Sequence, residues 1–323
     1  MKDIIEIIKN KKTKFDALKP FSKTFLTNIE DWYKTELTYT SNAIEGNTLT
    51  RQETAIVIEK GLTIEGKSIT EHLEAINHAK AYEYISSMNL ENIKKINKQI
   101  ILKINEIILQ NIDSQNAGLY RNIPVRIAGS TVVLPNPLKV PDLMDRFIDW
   151  LQNSKKNPPE IAIEAHFKFV SIHPFIDGNG RTARLLMNLI LLTSGYPPLI
   201  IFKKNRIYYI NSIEKGQLTG DLSDYEYFMF KAIEKSLDAR LDLIKQPTIK
   251  TPTKLLKIGE LAKETGETIH TLRYWTKMEL LKVTKYSEGG YQLYSPDVIK
   301  QAKKIRKLQK EKRLTLAELK EII

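Results

Sequence analysis

Apolar residues recur at helical spacing over almost the whole stretch from Ile4 to Leu243, with polar residues on the intervening faces. The period breaks mainly at Pro158-Pro159, at Pro197-Pro198 and over residues 125–135, where two β-branched runs flank Gly129-Ser130. Those runs predict a β-hairpin, and the remainder predicts a mostly α fold, a helical bundle carrying one hairpin flap. Residues 246–253 hold two prolines and no apolar stripe, which predicts a linker. Beyond it a short helix is expected to stop at Gly266, and Thr268 is placed to cap a second helix from Ile269. Helix, tight turn and helix make a helix-turn-helix arrangement, followed by two strand-like runs around Glu288-Gly289-Gly290 and basic helices from Pro296. The expected organisation is therefore a bundle over residues 1–245, a linker over 246–253 and a small domain over 254–323.

Composition narrows the class. A chain of 323 residues can bury a substantial core in two domains, and with no cysteine it has neither a disulfide framework nor a cysteine metal site. The N-terminal run Met1-Lys2-Asp3-Ile4-Ile5-Glu6 is charged through its apolar stretch, and no apolar run approaches a membrane span. A cytoplasmic protein without membrane attachment is expected. The five histidines, at positions 72, 78, 166, 173 and 270, show no metal-ligand spacing. Charge is uneven: from Lys250 to Ile323 there are 17 basic and 9 acidic residues, so this tail carries about +8 of the net +12 and is a candidate for nucleic acid.

The densest chemistry lies in His173-Pro174-Phe175-Ile176-Asp177-Gly178-Asn179-Gly180-Arg181-Thr182-Ala183-Arg184. Helical periodicity on both sides makes this a loop between two helices, with the glycines where the second helix begins. Gly178 and Gly180 allow successive backbone N–H groups to converge on a phosphate at a helix N-terminus. Arg181 and Arg184 stand about one turn apart, so both guanidiniums can reach one polyphosphate from the same side. Singly, a histidine is commonly a core or capping residue, Asn-Gly a turn and two arginines a solvated face; Phe175 reads as an apolar anchor. The conjunction points to a nucleotide-phosphate site.

The string resembles the signature of the Fic family, His-Pro-Phe-x-Asp/Glu-Gly-Asn-Gly-Arg-x-x-Arg, at every defined position. Fic proteins typically transfer AMP from ATP to a protein hydroxyl. The resemblance implies that His173 is the general base on a Ser, Thr or Tyr hydroxyl of a target protein, which can be the chain itself, and that Asp177 holds Mg²⁺ against the phosphates. It further implies that Gly178, Asn179 and Gly180 bind phosphate oxygens, Arg181 the leaving pyrophosphate and Arg184 the γ-phosphate. Gly180, where a phosphorylating branch has Lys, favours nucleotidyl transfer.

Far upstream, Ser41-Asn42-Ala43-Ile44-Glu45-Gly46 places Ser41 and Glu45 at i and i+4, with Gly46 suited to end a helix and Thr50 to cap the next through Gln52 and Glu53. By itself this reads as a helix end and a turn. It also resembles the inhibitory motif Ser/Thr-x-x-x-Glu-Gly of one Fic class, which implies that Glu45 pairs with Arg184 and blocks the γ-phosphate position. The hairpin at residues 125–135, reached through Gly118-Leu119-Tyr120-Arg121, is similar to the flap that holds a Fic target by main-chain pairing. Tyr208, Tyr209 and Asn211 follow at a distance that suits either an adenine pocket or packing.

In the tail, Ile258-Gly259-Glu260-Leu261-Ala262, Thr271-Leu272-Arg273-Tyr274 and Gly290-Tyr291-Gln292-Leu293-Tyr294 resemble the MerR-type winged helix-turn-helix. That resemblance implies duplex DNA as a partner, touched by Thr271, Arg273 and Tyr274 from the second helix and by Lys285 and Tyr291 from the wing. Gln292 stands where many relatives have arginine and Glu267 where an apolar residue is usual. The long dimerisation helix that follows the module in relatives is not expected here, and a homodimer is expected to be made by the Fic part. The reading is an autoinhibited adenylyltransferase with a DNA-binding tail. The alternatives are removal of AMP by the same site, with Glu45 positioning a water, and a nucleotide-sensing transcriptional regulator that transfers nothing.

Overall fold

The computed structural model describes residues 2–88, 90–245, 255–286 and 291–312. They fall into two compact units, Met1–Leu243 and Ile244–Ile323. The expected linker at 246–253 and the wing tip at 288–290 lie outside the described residues.

The first unit is built from helices: α1 (Lys2–Asp16), α2 (Lys23–Glu45), α3 (Arg51–Lys60), α4 (Ile69–Ser86), α5 (Lys98–Leu109), α6 (Val140–Asn153), α7 (Pro158–Ile172), α8 (Asn179–Thr193), α9 (Arg206–Thr219) and α10 (Ser223–Lys245). Their ends follow local chemistry. Thr50 and Ser68 start α3 and α4 as capping boxes with Glu53 and Glu71, satisfying N–H groups that a helix start leaves open. Pro158 begins α7 where no donor is lost. Gly46 ends α2 at φ 108°, a left-handed angle that costs a side-chain-bearing residue about 1–2 kcal/mol.

One helix organises the rest. In α8 every residue from Arg181 to Leu191 is buried, the mark of a helix surrounded on all sides. It packs against α7, α5, α4 and α2, so residues from distant parts of the sequence meet around its first turns. Helix α6 buries Val140, Met144, Phe147, Ile148 and Leu151 from one face and leaves the other polar. Phe147 meets Phe169 edge-on at 6.1 Å, and Phe169 meets Phe175 at the same separation, which seats the loop after α7 on the core.

The expected flap hairpin needs correction in its pairing. The chain does turn at Ala128-Gly129, where Ser130 N–H donates to the Ile127 carbonyl at 3.2 Å, but no strand ladder forms in residues 125–135. The groups that a ladder would use are held elsewhere. Ser130 Oγ and Thr131 N–H both donate to Glu214 Oε1, at 2.7 and 3.3 Å, and Arg121 donates to the carbonyls of Ile123 and Pro135.

The second unit is a small winged fold. A three-stranded antiparallel sheet of β1 (Leu256–Lys257), β2 (Lys285–Tyr286) and β3 (Gln292–Tyr294), ordered β1-β3-β2, packs with α11 (Ile258–Thr265), α12 (Ile269–Lys277) and α13 (Asp297–Lys312). Register pairs Lys257 with Leu293 on one side of β3 and Lys285 with Leu293 on the other. Sequence reasoning missed β1, which is two residues long and has no alternation to read. Gly266 closes α11 at φ 72°, and the Thr268 side chain caps α12 through Thr271 N–H, as the pattern predicts. Leu261, Leu272, Trp275, Leu281, Tyr294 and Ile305 form its core. The acidic departure at Glu267 is matched within this core's rim: Arg306 Nε donates to Glu267 Oε1 at 2.6 Å while its guanidinium covers the Trp275 ring at 5.1 Å.

Candidate active site

The site begins where α7 stops. His173 takes the left-handed conformation, φ 51° and ψ 60°, and its N–H still donates to the Phe169 carbonyl at 2.9 Å. A non-glycine residue is held at such angles only when its surroundings determine them. Three side chains supply that restraint. Asn179 folds back on its own loop, accepting from Phe175 N–H and donating to the Phe175 carbonyl, both at 2.9 Å. Arg121, buried, donates from Nε to the His173 carbonyl at 2.7 Å, while its backbone N–H reaches the Pro174 carbonyl at 2.9 Å. Asn105 on α5 donates to the Asp177 carbonyl at 3.0 Å and accepts from Gly118 N–H at 3.0 Å.

Burial pulls the His173 imidazole down to about 4, against the opposing effect of a bond from its ring to the Val170 carbonyl. At neutral pH the ring is therefore uncharged and has one nitrogen able to accept a proton. Gly178 precedes α8 at φ 77°, and a Cβ there would press on Asn105 Nδ2 at 3.0 Å. The amides that open α8 belong to Asn179, Gly180 and Arg181, the region where a helix attracts anions. Asn179 can offer only its backbone there, because its side chain is committed to Phe175.

Above this turn stand the two arginines, both buried. Arg184 donates from Nη2 to Glu45 Oε1 at 2.6 Å, from Nε to Ser41 Oγ at 2.9 Å and from Nη2 to the Ser41 carbonyl at 3.0 Å. Ser41 and Glu45, 143 and 139 positions before Arg184, thus join it in one cluster. Gly180 shares it: a Cβ on Gly180 would collide with Glu45 Oε1 and meet Arg184 Nη1 at 3.0 Å. Burial alone would push the Glu45 carboxyl up, but Arg184, then Arg181 and Arg206, hold it below the usual carboxylate range. The side chain keeps 36% of its surface accessible, so Glu45 borders the cleft while paired with Arg184.

Arg181 is gripped on two sides, by Glu74 Oε1 at 2.9 Å and by Asp177 Oδ2 at 3.1 Å. Its Nε is buried with no hydrogen-bond partner among the described residues. The other Asp177 oxygen accepts from Gly178 N–H at 2.6 Å, and the aspartate side chain is 58% exposed. Sequence reasoning did not find Glu74, Asn105, Arg206 or Glu214, and it gave Arg121 no role. Arg206 donates from Nε to the Ile44 carbonyl at 2.5 Å, capping the helix that carries Glu45. Tyr209 is buried, its hydroxyl bonded to His166 Nε2 at 2.7 Å and set beside the Arg184 guanidinium. Tyr208 is half exposed against Phe228 at 5.5 Å, and Asn211 faces solvent.

In the winged unit, Arg273 and Tyr274 are exposed on α12, and Lys285 and Tyr291 are exposed on the wing. Thr271 is half-buried, its hydroxyl engaged with Thr268 Oγ1 at 2.8 Å. Gln292 accepts from the Tyr294 hydroxyl at 2.8 Å. Arg273, Lys277, Lys257, Lys282 and Tyr291 border a groove of about 900 Å³.

Residues 95–191 match the model of the Fic/DOC family, and residues 256–323 that of the MerR HTH family regulatory protein. The fold is similar to those of solved Fic proteins. Fic-1 from C. elegans superposes with a TM-score of 0.67 at 32% identity, over 75% of this chain and 73% of that one. A Fic domain containing signaling protein from Bacteroides thetaiotaomicron gives 0.67 at 27% identity, over 76% and 100%. The protein belongs to the Fic family. The protein adenylyltransferase Fic of Drosophila grimshawi is 39% identical over 206 residues, which are 63% of this chain and 42% of that relative. This chain thus spans less than half the length of that relative.

Proposed function

We propose that this protein is an adenylyltransferase that moves AMP from ATP to a Ser, Thr or Tyr hydroxyl of a protein, itself included, and that Glu45 restrains it. The observation that carries the proposal is the cluster at the start of α8, where an uncharged His173 in the preceding loop, the opening amides of the helix and two buried arginines come together, with Glu45 paired to Arg184. In the reaction the target hydroxyl oxygen attacks the α-phosphorus. A new O–P bond forms, the bond from that phosphorus to the bridging oxygen breaks, and pyrophosphate leaves. His173 takes the hydroxyl proton on the ring nitrogen not facing Val170. Arg181 and the opening amides of α8 bear the charge that moves onto the leaving group.

Asp177 fits a magnesium ion. An exposed carboxylate beside a phosphate site matches the habit of Mg²⁺, which takes one or two carboxylates and fills its remaining positions with phosphate and water. Bound there with ATP, the ion supplies charge neutralisation. In this reading Ser41 fixes Arg184, and Gly46 ends α2 so that Glu45 reaches over Gly180. In this reading a target pairs by its backbone with residues 132–134, which form no ladder of their own and lie between the held Thr131 N–H and Pro135 carbonyl.

The partially exposed Glu45 favours one second reading, in which it holds a water that removes AMP from a modified target. The tail, residues 254–323, is proposed to bind duplex DNA through Arg273, Tyr274, Lys285 and Tyr291, with Thr271 contributing less because its hydroxyl is engaged with Thr268 Oγ1. Its groove is rimmed by cations. A homodimer formed through the Fic unit would give the two-fold symmetry that such DNA sites carry, and the cytoplasm is the proposed location.

The test is incubation with ATP labelled on the α-phosphate, then chase with unlabelled ATP. Stable protein-bound label that depends on His173 supports transfer. Label that appears only transiently, and is lost faster when Glu45 is present, supports the second reading. Binding of ATP with no label on any protein leaves a sensor and overturns both.

A further inference from the structure

Helix α4 contributes a carboxylate whose two oxygens serve two parts of the site. Glu74 Oε1 accepts from Arg181 Nη1 at 2.9 Å, and Glu74 Oε2 accepts from Asn47 Nδ2 at 2.8 Å. Asn47 is the residue after Gly46, two positions beyond Glu45, and its Nδ2 also donates to the Glu71 carbonyl at 3.0 Å. The Glu74 carbonyl in turn accepts from Asn42 Nδ2 at 3.1 Å, one turn before the end of α2. Arg181, Asn42 and Asn47 are all buried, so these bonds are shielded from competing water.

We infer that Glu74 is a positioning residue that ties the phosphate-facing Arg181 to the turn holding Glu45. The inference rests on the adenylyltransferase reading and names a regulatory contact within it. Arg181 has two carboxylate partners of different character. Asp177 is 58% exposed and faces the nucleotide side, whereas Glu74 is 18% exposed and anchored in a helix. When a nucleotide and its metal engage Asp177, Glu74 is the partner that keeps the guanidinium oriented. The same carboxylate, through Asn47, holds the inhibitory turn against the site. Removing its charge should therefore misalign Arg181 and loosen Glu45 together, whereas removing Asn47's amide should do only the second.

Four chains separate these effects: Glu74→Gln and Asn47→Ala, each alone and combined with Glu45→Gly. ATP affinity is measured by calorimetry, and kcat and KM for ATP by transfer of α-label. With Glu45 already removed, Glu74→Gln is expected to weaken ATP binding and raise KM by about tenfold, as for loss of one charge-assisted hydrogen bond, with a smaller change in kcat. Asn47→Ala is expected to activate the otherwise unaltered chain severalfold and to add nothing to Glu45→Gly. A merely structural role for Glu74 would lower melting temperature and kcat without that KM split. ATP affinity unchanged by Glu74→Gln in the Glu45→Gly chain overturns the inference, as does activation by Asn47→Ala that persists in that chain. If no chain transfers label while Glu74→Gln still weakens ATP binding, the transfer reading fails and the link between Glu74 and Arg181 stands.

Discussion

Replacing Glu45 by glycine tests the centre of the proposed restraint. The carboxylate meets Arg184 at 2.6 Å, and a charge-assisted bond of this kind contributes about 1.5–3 kcal/mol when enclosed. With 36% of the Glu45 side chain accessible, solvent screening reduces that to roughly 1–2 kcal/mol. At 1.4 kcal/mol per factor of ten, its loss should raise kcat/KM for ATP by about 5- to 30-fold. The fold should tolerate the change, because Arg184 keeps its bonds to Ser41 Oγ and to the Ser41 carbonyl. A carboxylate at the last residue of α2 also opposes the helix dipole, so its removal relieves an unfavourable interaction. Glu45→Gln separates charge from volume: the amide still stands over Gly180, and the expected order of activity is Gly above Gln above Glu. The assay is initial incorporation of α-label over a range of ATP concentrations, with melting curves for each chain. Equal incorporation by the glycine variant and the unaltered chain, both folded, would refute the reasoning.

Other outcomes follow from the same geometry. His173→Ala should lower AMP transfer by about 10²–10⁴-fold in a Glu45→Gly chain while ATP affinity, read by calorimetry, changes little; undiminished transfer removes His173 as the base. Because burial holds His173 at about 4, the free ring stays unprotonated down to that pH, so kcat/KM should show no loss of the base near pH 6.5; a half-loss there contradicts the site's electrostatics. His78 and His166 are pushed to about 3 by burial, so the unfolded chain binds more protons than the folded one below pH 6.5; stability should fall with pH from there toward 3, by up to about 1.4 kcal/mol per unit for each ring, and urea midpoints equal at pH 7 and 5 would count against it. Arg273→Ala together with Lys285→Ala should weaken binding to any duplex and flatten the salt dependence by about one to two units of log–log slope, measured by fluorescence anisotropy; an unchanged slope removes these cations from a DNA contact.

Much of the architecture was legible because its signals are local. The capping pair Thr50 and Glu53, the stop at Gly46 and the cap at Thr268 need only neighbours a turn away, and all three stand where the pattern put them. The loop from His173 to Arg184 was legible as chemistry for the same reason. What was missed acts across the fold. Asn105 and Glu74 are single polar residues on the helices α5 and α4, and nothing nearby in sequence says that their partners are Asp177 and Arg181. A signal did exist for Glu45: an acid in the last turn of a helix that has no basic residue there breaks a local rule, and such breaks concentrate at functional sites. The flap ladder was overcalled because β-branched content reports strand propensity and not partners. Ser130 and Thr131 found Glu214, which lies 84 and 83 positions on.

The loop after α7 is laced to the protein by Asn179, Arg121 and Asn105, and none of those bonds runs through Glu45. If the proposed restraint holds, relieving it needs no refolding of the loop and no movement of α7 or α8. Only one side chain at a helix end has to leave its guanidinium. Such rotations take picoseconds to nanoseconds when partly exposed, far faster than a catalytic turnover. The switch would therefore carry no memory. Restraint should track the instantaneous concentration of ATP, and product formation after rapid mixing should begin without a lag, unlike an enzyme that must first reorder a loop.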